Sequence, residues 1–152
     1  MKTAKIKVRQ LSTKLKTFKS IDTNTRPDIG WVKTIRTSLG MSLEQLGNKL
    51  EITKQSVQNL EKREALGSAT INAMKEAGKA MDMKFVYGYL PLEGTLEALI
   101  EKKAKKLATE IVMRTSATMK LENQENSSQR IKAAIEERTK EIIDEMPKIL
   151  WD

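Results

Sequence analysis

The sequence predicts an all-α chain, and three observations carry that expectation. Apolar residues return every three or four positions along most of the 152 residues. Ser, Thr and Gly stand where such runs begin and end. Only residues 83–90, Met-Lys-Phe-Val-Tyr-Gly-Tyr-Leu, carry the aromatic and β-branched density of a strand, and there one short extended segment is expected.

The elements follow in order. Leu11, Leu15 and Phe18 keep helical spacing, with Ile6 and Val8 less regular, so a first helix covers about 3–18. Residues 22–27 read as a linker, where Pro27 pushes Arg26 towards extended backbone. Trp31, Val32, Ile35 and Leu39 mark a helix with one buried face, and Gly40 ends it. Ser42 stands three residues before Gln45, a capping-box spacing, and Leu43, Leu46 and Leu50 follow on one face. After a break at Glu51-Ile52, Thr53 is an N-cap for a helix carrying Val57 and Leu60. A further helix runs from about Ser68 to Met81, with Ile71, Met74 and Ala77 inward. Together these make a compact domain of five short helices.

The last third changes character. Leu96, Leu99, Ile100, Ala104, Leu107, Ala108, Ile111, Val112, Thr115 and Met119 keep helical spacing over six turns, opposite Lys102, Lys103, Lys105 and Lys106. A polar break over 123–129 precedes a second helix with Ile131, Ile135, Ile142 and Met146 inward, stopped near Pro147. The expected organisation is a basic, partly helical arm over 1–27, a helical domain over 28–82, and a connecting segment with a helical hairpin over 83–152.

Composition removes whole chemistries. The chain has no His and no Cys. A Ser-His-Asp triad, a thiolate nucleophile and Cys-ligated zinc are therefore excluded. Aromatic residues make up 4%, too few for a stacking platform for single strands. No pair stands out as general acid and base, so no enzyme, cofactor or metal is expected. No apolar run has the length of a signal peptide core or a membrane span, which points to a soluble, cytoplasmic protein. The net charge is +8 and uneven. Residues 1–27 hold eight basic residues against one acidic, 28–92 nine against seven, and 93–152 eleven against twelve. A polyanionic partner for the first half follows.

The motif at 42–61 gives that partner a form. Two short helices that cross steeply need a small residue at their closest approach, and Gly47 supplies it. Leu46, Leu50, Val57 and Leu60 close the core beneath. Thr53-Lys54-Gln55-Ser56 then points outward with no apolar residue, as a helix entering a DNA major groove requires.

The stretch from Trp31 to about Met81 resembles the repressor/Cro-type helix-turn-helix family. The residues that carry the likeness are Ile35-Arg36, Leu39-Gly40-Met41-Ser42, Gln45-Leu46-Gly47, Leu50, Ile52-Thr53, Ser56-Val57 and Leu60-Glu61. The resemblance implies that Lys54, Gln55 and Asn59 read base edges, with Ser56 and Gln58 as weaker readers. Gln55 suits adenine and Lys54 suits guanine acceptors. It implies that Ser42, Thr53, Lys62 and Arg63 lie near phosphates, and that Arg36 and Glu61 form a structural ion pair. Two positions depart from the family. Glu51 stands where many members have glycine, and Leu43 stands where a phosphate-binding Gln is common.

A narrower likeness covers nearly the whole chain. Arg26-Pro27, Gly30-Trp31, the helix-turn-helix, Phe85-Val86-Tyr87 with Pro91, Thr118-Met119-Lys120-Leu121-Glu122 with Gln124, and Leu150-Trp151-Asp152 resemble the bacterial family called mobile mystery protein A. The resemblance implies an antitoxin-like transcriptional regulator encoded beside a Fic-domain protein; a homodimer on double-stranded DNA that represses its own operon is the matching expectation. Thr118 to Asn123 is similar to the inhibitory motif of Fic systems, in which Glu122 competes with a nucleotide phosphate for an arginine. Thr118, Glu122 and Asn123 are thus candidate inhibitory residues. A second reading stays open: a protein-binding inhibitor of a Fic adenylyltransferase, with DNA binding secondary.

Overall fold

The computed structural model describes residues 2–21, 24–117 and 124–152. Among them are seven α-helices, one 3-10 helix and no strand. The helices are α1 (Lys2–Lys16), α2 (Trp31–Ser38), α3 (Leu43–Leu50), α4 (Lys54–Leu66), α5 (Ile71–Ala80), α6 (Leu96–Ala117) and α7 (Gln124–Glu145), and the 3-10 turn is Lys148–Trp151. Contacts divide the chain into two compact units. The central unit is Ser20–Gly88, and the terminal unit joins Met1–Lys19 to Tyr89–Asp152.

The central unit holds four helices rather than the five expected. Its core is Val32, Leu46, Val57, Leu60, Met74, Ala77 and Met81. Local chemistry sets each helix. Ser42 accepts the Gln45 N–H at 3.0 Å while the Ser42 N–H donates to Gln45 Oε1 at 2.7 Å, so two orphan donors are satisfied reciprocally. Thr53 accepts the Ser56 N–H at 3.1 Å, and Thr70 accepts the Ala73 N–H at 3.1 Å. Gly47 lies where α3 meets the start of α4. A Cβ there would sit 2.7 Å from the Ile52 carbonyl oxygen, closer than carbon and oxygen approach, so only glycine fits. Glu51 closes α3 in the left-handed region, at φ 57° and ψ 36°.

α2 is shorter and less buried than its spacing predicts. Val32 is buried and Ile35 is half-buried, whereas Trp31 and Leu39 are exposed. Its first amides are capped from far along the chain. Glu64 Oε1 accepts the Trp31 N–H at 2.7 Å, and Oε2 accepts the Val32 N–H at 2.9 Å. Gly30 makes room for that carboxylate: at φ 88° a Cβ would fall 2.9 Å from Glu64 Cδ. Arg26 Nη2 in turn donates to the carbonyls of Glu64 at 2.7 Å and Ala65 at 3.1 Å, in the last turn of α4. Residues 83–90 form neither helix nor paired strand; Phe85 packs on the core and stacks on Tyr87 at 5.8 Å.

The terminal unit packs α6 against α7 and α1 against α6. Its core is Ile100, Ala104, Ala108, Ile142 and Leu150, with Val8, Ile135, Ile143 and Met146 partly buried against it. The basic arm expected over 1–27 is therefore not separate. Ala4, Val8, Ser12 and Leu15 are the less exposed positions along one face of α1, and the Ser12 hydroxyl donates to Glu97 at 2.7 Å. Leu11, expected inward, is half exposed because that face lies one residue further on. The polar break expected over 123–129 is also revised, since α7 begins at Gln124. Gln, Glu and Arg are good helix formers, and no Gly or Pro interrupts the stretch.

Candidate nucleic-acid interface

α4 is amphipathic in an unusual way. Its inward face is Val57, Leu60, Glu61 and Glu64, all buried. At about 100° per residue, the line opposite that face runs through Gln55, Asn59, Lys62 and Leu66. All four are exposed. Lys54 and Gln58 flank this line on one side and are also exposed, while Arg63 and the half-buried Ser56 flank it on the other. The expected base-reading residues thus share one continuous surface.

The inward face is fixed by charge as well as by packing. Arg36 Nε donates to Glu61 Oε1 at 2.6 Å and Nη2 to Oε2 at 3.2 Å. The remaining arm, Nη1, donates to the Met41 carbonyl at 2.8 Å. Both side chains are buried, so α2, the turn before α3, and α4 are tied at one point. Such a tie holds the angle at which α4 presents its outer face.

The polar groups on that face differ in what they have left to offer. Gln55 Nε2 donates to Asn59 Oδ1 at 3.4 Å. Gln55 keeps its carbonyl oxygen and a second N–H, the donor and acceptor pair that matches adenine. The Thr53 and Ser56 hydroxyls bond each other at 2.9 Å, so Ser56 is partly committed to the cap and has less to give a base. The Ser42 hydroxyl accepts within its cap and keeps its proton for an oxygen acceptor. Lys54, Lys62 and Arg63 have no ion-pair or hydrogen-bond partner for their charged heads among the described residues. A shallow hollow of about 450 Å³ runs between Ser56, Asn59, Lys62, Arg63 and Leu66 on the same surface.

Sequence reasoning missed Glu64 and Arg26, which hold the scaffold from 33 and 38 residues away. It also missed Leu66, an apolar side chain left 83% exposed on the outward line. The Arg-Pro pair at 26–27 was the available signal for Arg26. A lone Glu in a helix carries none. Thr118, Glu122 and Asn123 lie outside the described residues. Among the described residues no group of Asp or Glu is placed to hold a metal ion, and no helix is long and apolar enough to cross a membrane.

No protein family, no curated protein and no solved structure matches this chain at a significant level.

Proposed function

We propose that the chain is a sequence-specific double-stranded DNA-binding regulator in which α3, the turn at Glu51-Ile52 and α4 act as a repressor-type helix-turn-helix. The observation that carries this reading is the outward face of α4, where Lys54, Gln55, Gln58, Asn59 and Lys62 are exposed together above a locked apolar and ionic underside. Lys54 and Gln55 occupy the first turn, the end of a recognition helix that reaches deepest into a major groove. The partial positive charge at that end favours a polyanion. Lys62 and Arg63, whose charged heads are unpaired among the described residues, neutralise phosphates and set register without reading sequence.

One helix of this length reads only a few base pairs. Specificity in a genome then calls for two copies about a two-fold axis, with half-sites about one helical turn or a multiple of it apart. The role of the regulator, repression of an operon shared with a Fic-domain protein, rests on the sequence resemblance and is part of the same proposal.

The test is a gel-shift titration with the chain's own upstream DNA against scrambled DNA at two salt concentrations. A preference of about 10³-fold or more is expected. Lys54→Ala and Gln55→Ala should each cost about 1–3 kcal/mol on the preferred site and relax its sequence preference. Lys62→Ala and Arg63→Ala should weaken all sequences alike and lower the salt slope by about one each. Undiminished preference in the Lys54 and Gln55 variants would overturn the assignment of α4.

A further inference from the structure

The terminal unit contains a hollow that DNA reading does not use. It lies among α1, α6 and α7 and has a volume of about 370 Å³. Val8, Ile100, Ile143 and Met146 line it with apolar surface, and Lys5, Arg9 and Glu97 line it with charge. Ile100 is buried and the other three apolar residues are half-buried, whereas the charged residues are exposed, so the charge forms the mouth. Ligand sites begin near this size and have this construction, mostly apolar with a few fixed polar groups.

The charges at the mouth are not balanced. Lys5 is paired with Asp144. Glu97 accepts the Ser12 hydroxyl at 2.7 Å. That bond chiefly, then hydrogen bonds from its own backbone N–H and the Thr95 hydroxyl, and last the charge of Lys16, hold the Glu97 carboxyl below its ordinary range against the opposing effect of burial. Both acids are therefore answered from within the unit. The Arg9 guanidinium has no hydrogen-bond or ion-pair partner among the described residues. It is a cation left over at the opening of an apolar hollow. A guanidinium takes a carboxylate with two parallel hydrogen bonds, and an apolar body attached to that carboxylate fills the lining below.

We propose that this hollow binds a small amphipathic carboxylate, with the carboxylate on Arg9 and an apolar body of about nine carbons against Val8, Ile100, Ile143 and Met146. The size follows from the volume. At about 30 Å³ per heavy atom, the share a water molecule takes in the liquid, the hollow holds about a dozen heavy atoms, which is the size of decanoate.

The test is calorimetric titration of the full chain with decanoate below its micellar concentration, beside decanol and anionic vesicles. Saturable binding of one decanoate per chain is expected, with decanol at least about tenfold weaker because it has no charge for Arg9. Arg9→Gln should weaken decanoate at least about tenfold and leave decanol unchanged. Val8→Phe should fill the hollow and abolish binding of both. Arg9 is exposed, so Arg9→Gln keeps the fold and decides the matter even where Val8→Phe does not fold. No saturable decanoate binding would overturn the proposal, as would equal affinity in the Arg9 variant. Binding to vesicles but not to free decanoate would overturn it too, by assigning Arg9 to a lipid surface.

Discussion

Replacing Glu61 alone should unfold the central unit more readily than replacing Glu61 and Arg36 together. The two side chains are 5% and 9% exposed, and three hydrogen bonds radiate from the guanidinium. In Glu61→Leu the cation stays buried with only the Met41 carbonyl to answer it. Breaking a buried pair in this way costs about 3–5 kcal/mol. In Arg36→Met the buried carboxylate is left with no cation, at a similar cost. The double variant removes both charges and replaces them with side chains of comparable volume. Its main debt is the Met41 carbonyl without its donor, about 1–2 kcal/mol. The single costs sum to about 6 kcal/mol or more, so the coupling in a double-mutant cycle is at least about 4 kcal/mol. Urea unfolding followed by Trp31 fluorescence, in a Trp151→Phe background, reads the central unit alone. Additive costs, or a double variant less stable than both singles, would refute the reasoning and show that water reaches the pair.

Three further outcomes are expected. Gly47→Ala should lower the thermal midpoint of the central unit: a Cβ 2.7 Å from the Ile52 oxygen overpacks the site by about 1–3 kcal/mol, against about 1 kcal/mol gained in helix propensity. A raised midpoint would refute the close approach. Glu51→Gly should raise stability by about 1 kcal/mol in the same urea assay, because the residue sits at φ 57° where a Cβ is strained. The Ser12–Glu97 bond should show in the pH dependence of the terminal unit. Bonding to Ser12 lowers the Glu97 pKa from its ordinary 4.5 in the fold, so the stabilisation is present above 4.5 and is lost as pH falls through the lowered value. Ser12→Ala should flatten that acid limb, measured by Trp151 fluorescence with Trp31→Phe, and an unchanged limb would count against it.

What the sequence makes legible is what neighbours in the chain decide. The capping box at Ser42, the cap at Thr53, the close approach at Gly47 and the inward Leu46, Val57 and Leu60 all follow from spacing within a turn or two. The outward polar face of α4 follows in the same way, because it is the complement of that inward set. What stays illegible depends on partners far along the chain. Nothing near Glu64 announces that its carboxylate caps α2, and nothing near Trp31 announces that its amide is met from α4 instead of by a local side chain. The face that α1 turns inward also could not be read, since Leu11 and Ser12 are adjacent and only α6, which brings Glu97, favours the serine. That the basic, partly helical arm docks on the terminal unit is illegible for the same reason: its partners, Glu97 and Asp144, lie far along the chain.

The cap made by Glu64 has a consequence for how the central unit opens. The first amides of a helix ordinarily exchange their hydrogens with water fastest, because nothing within the helix holds them. Here the Trp31 and Val32 amides are held by a carboxylate that is itself buried, on a turn whose carbonyls Arg26 grips from the other side. The first turn of α2 therefore does not fray by itself. Deuterium enters at Val32 when α2 parts from the last turn of α4, so the beginning of this short helix exchanges with its middle and not ahead of it.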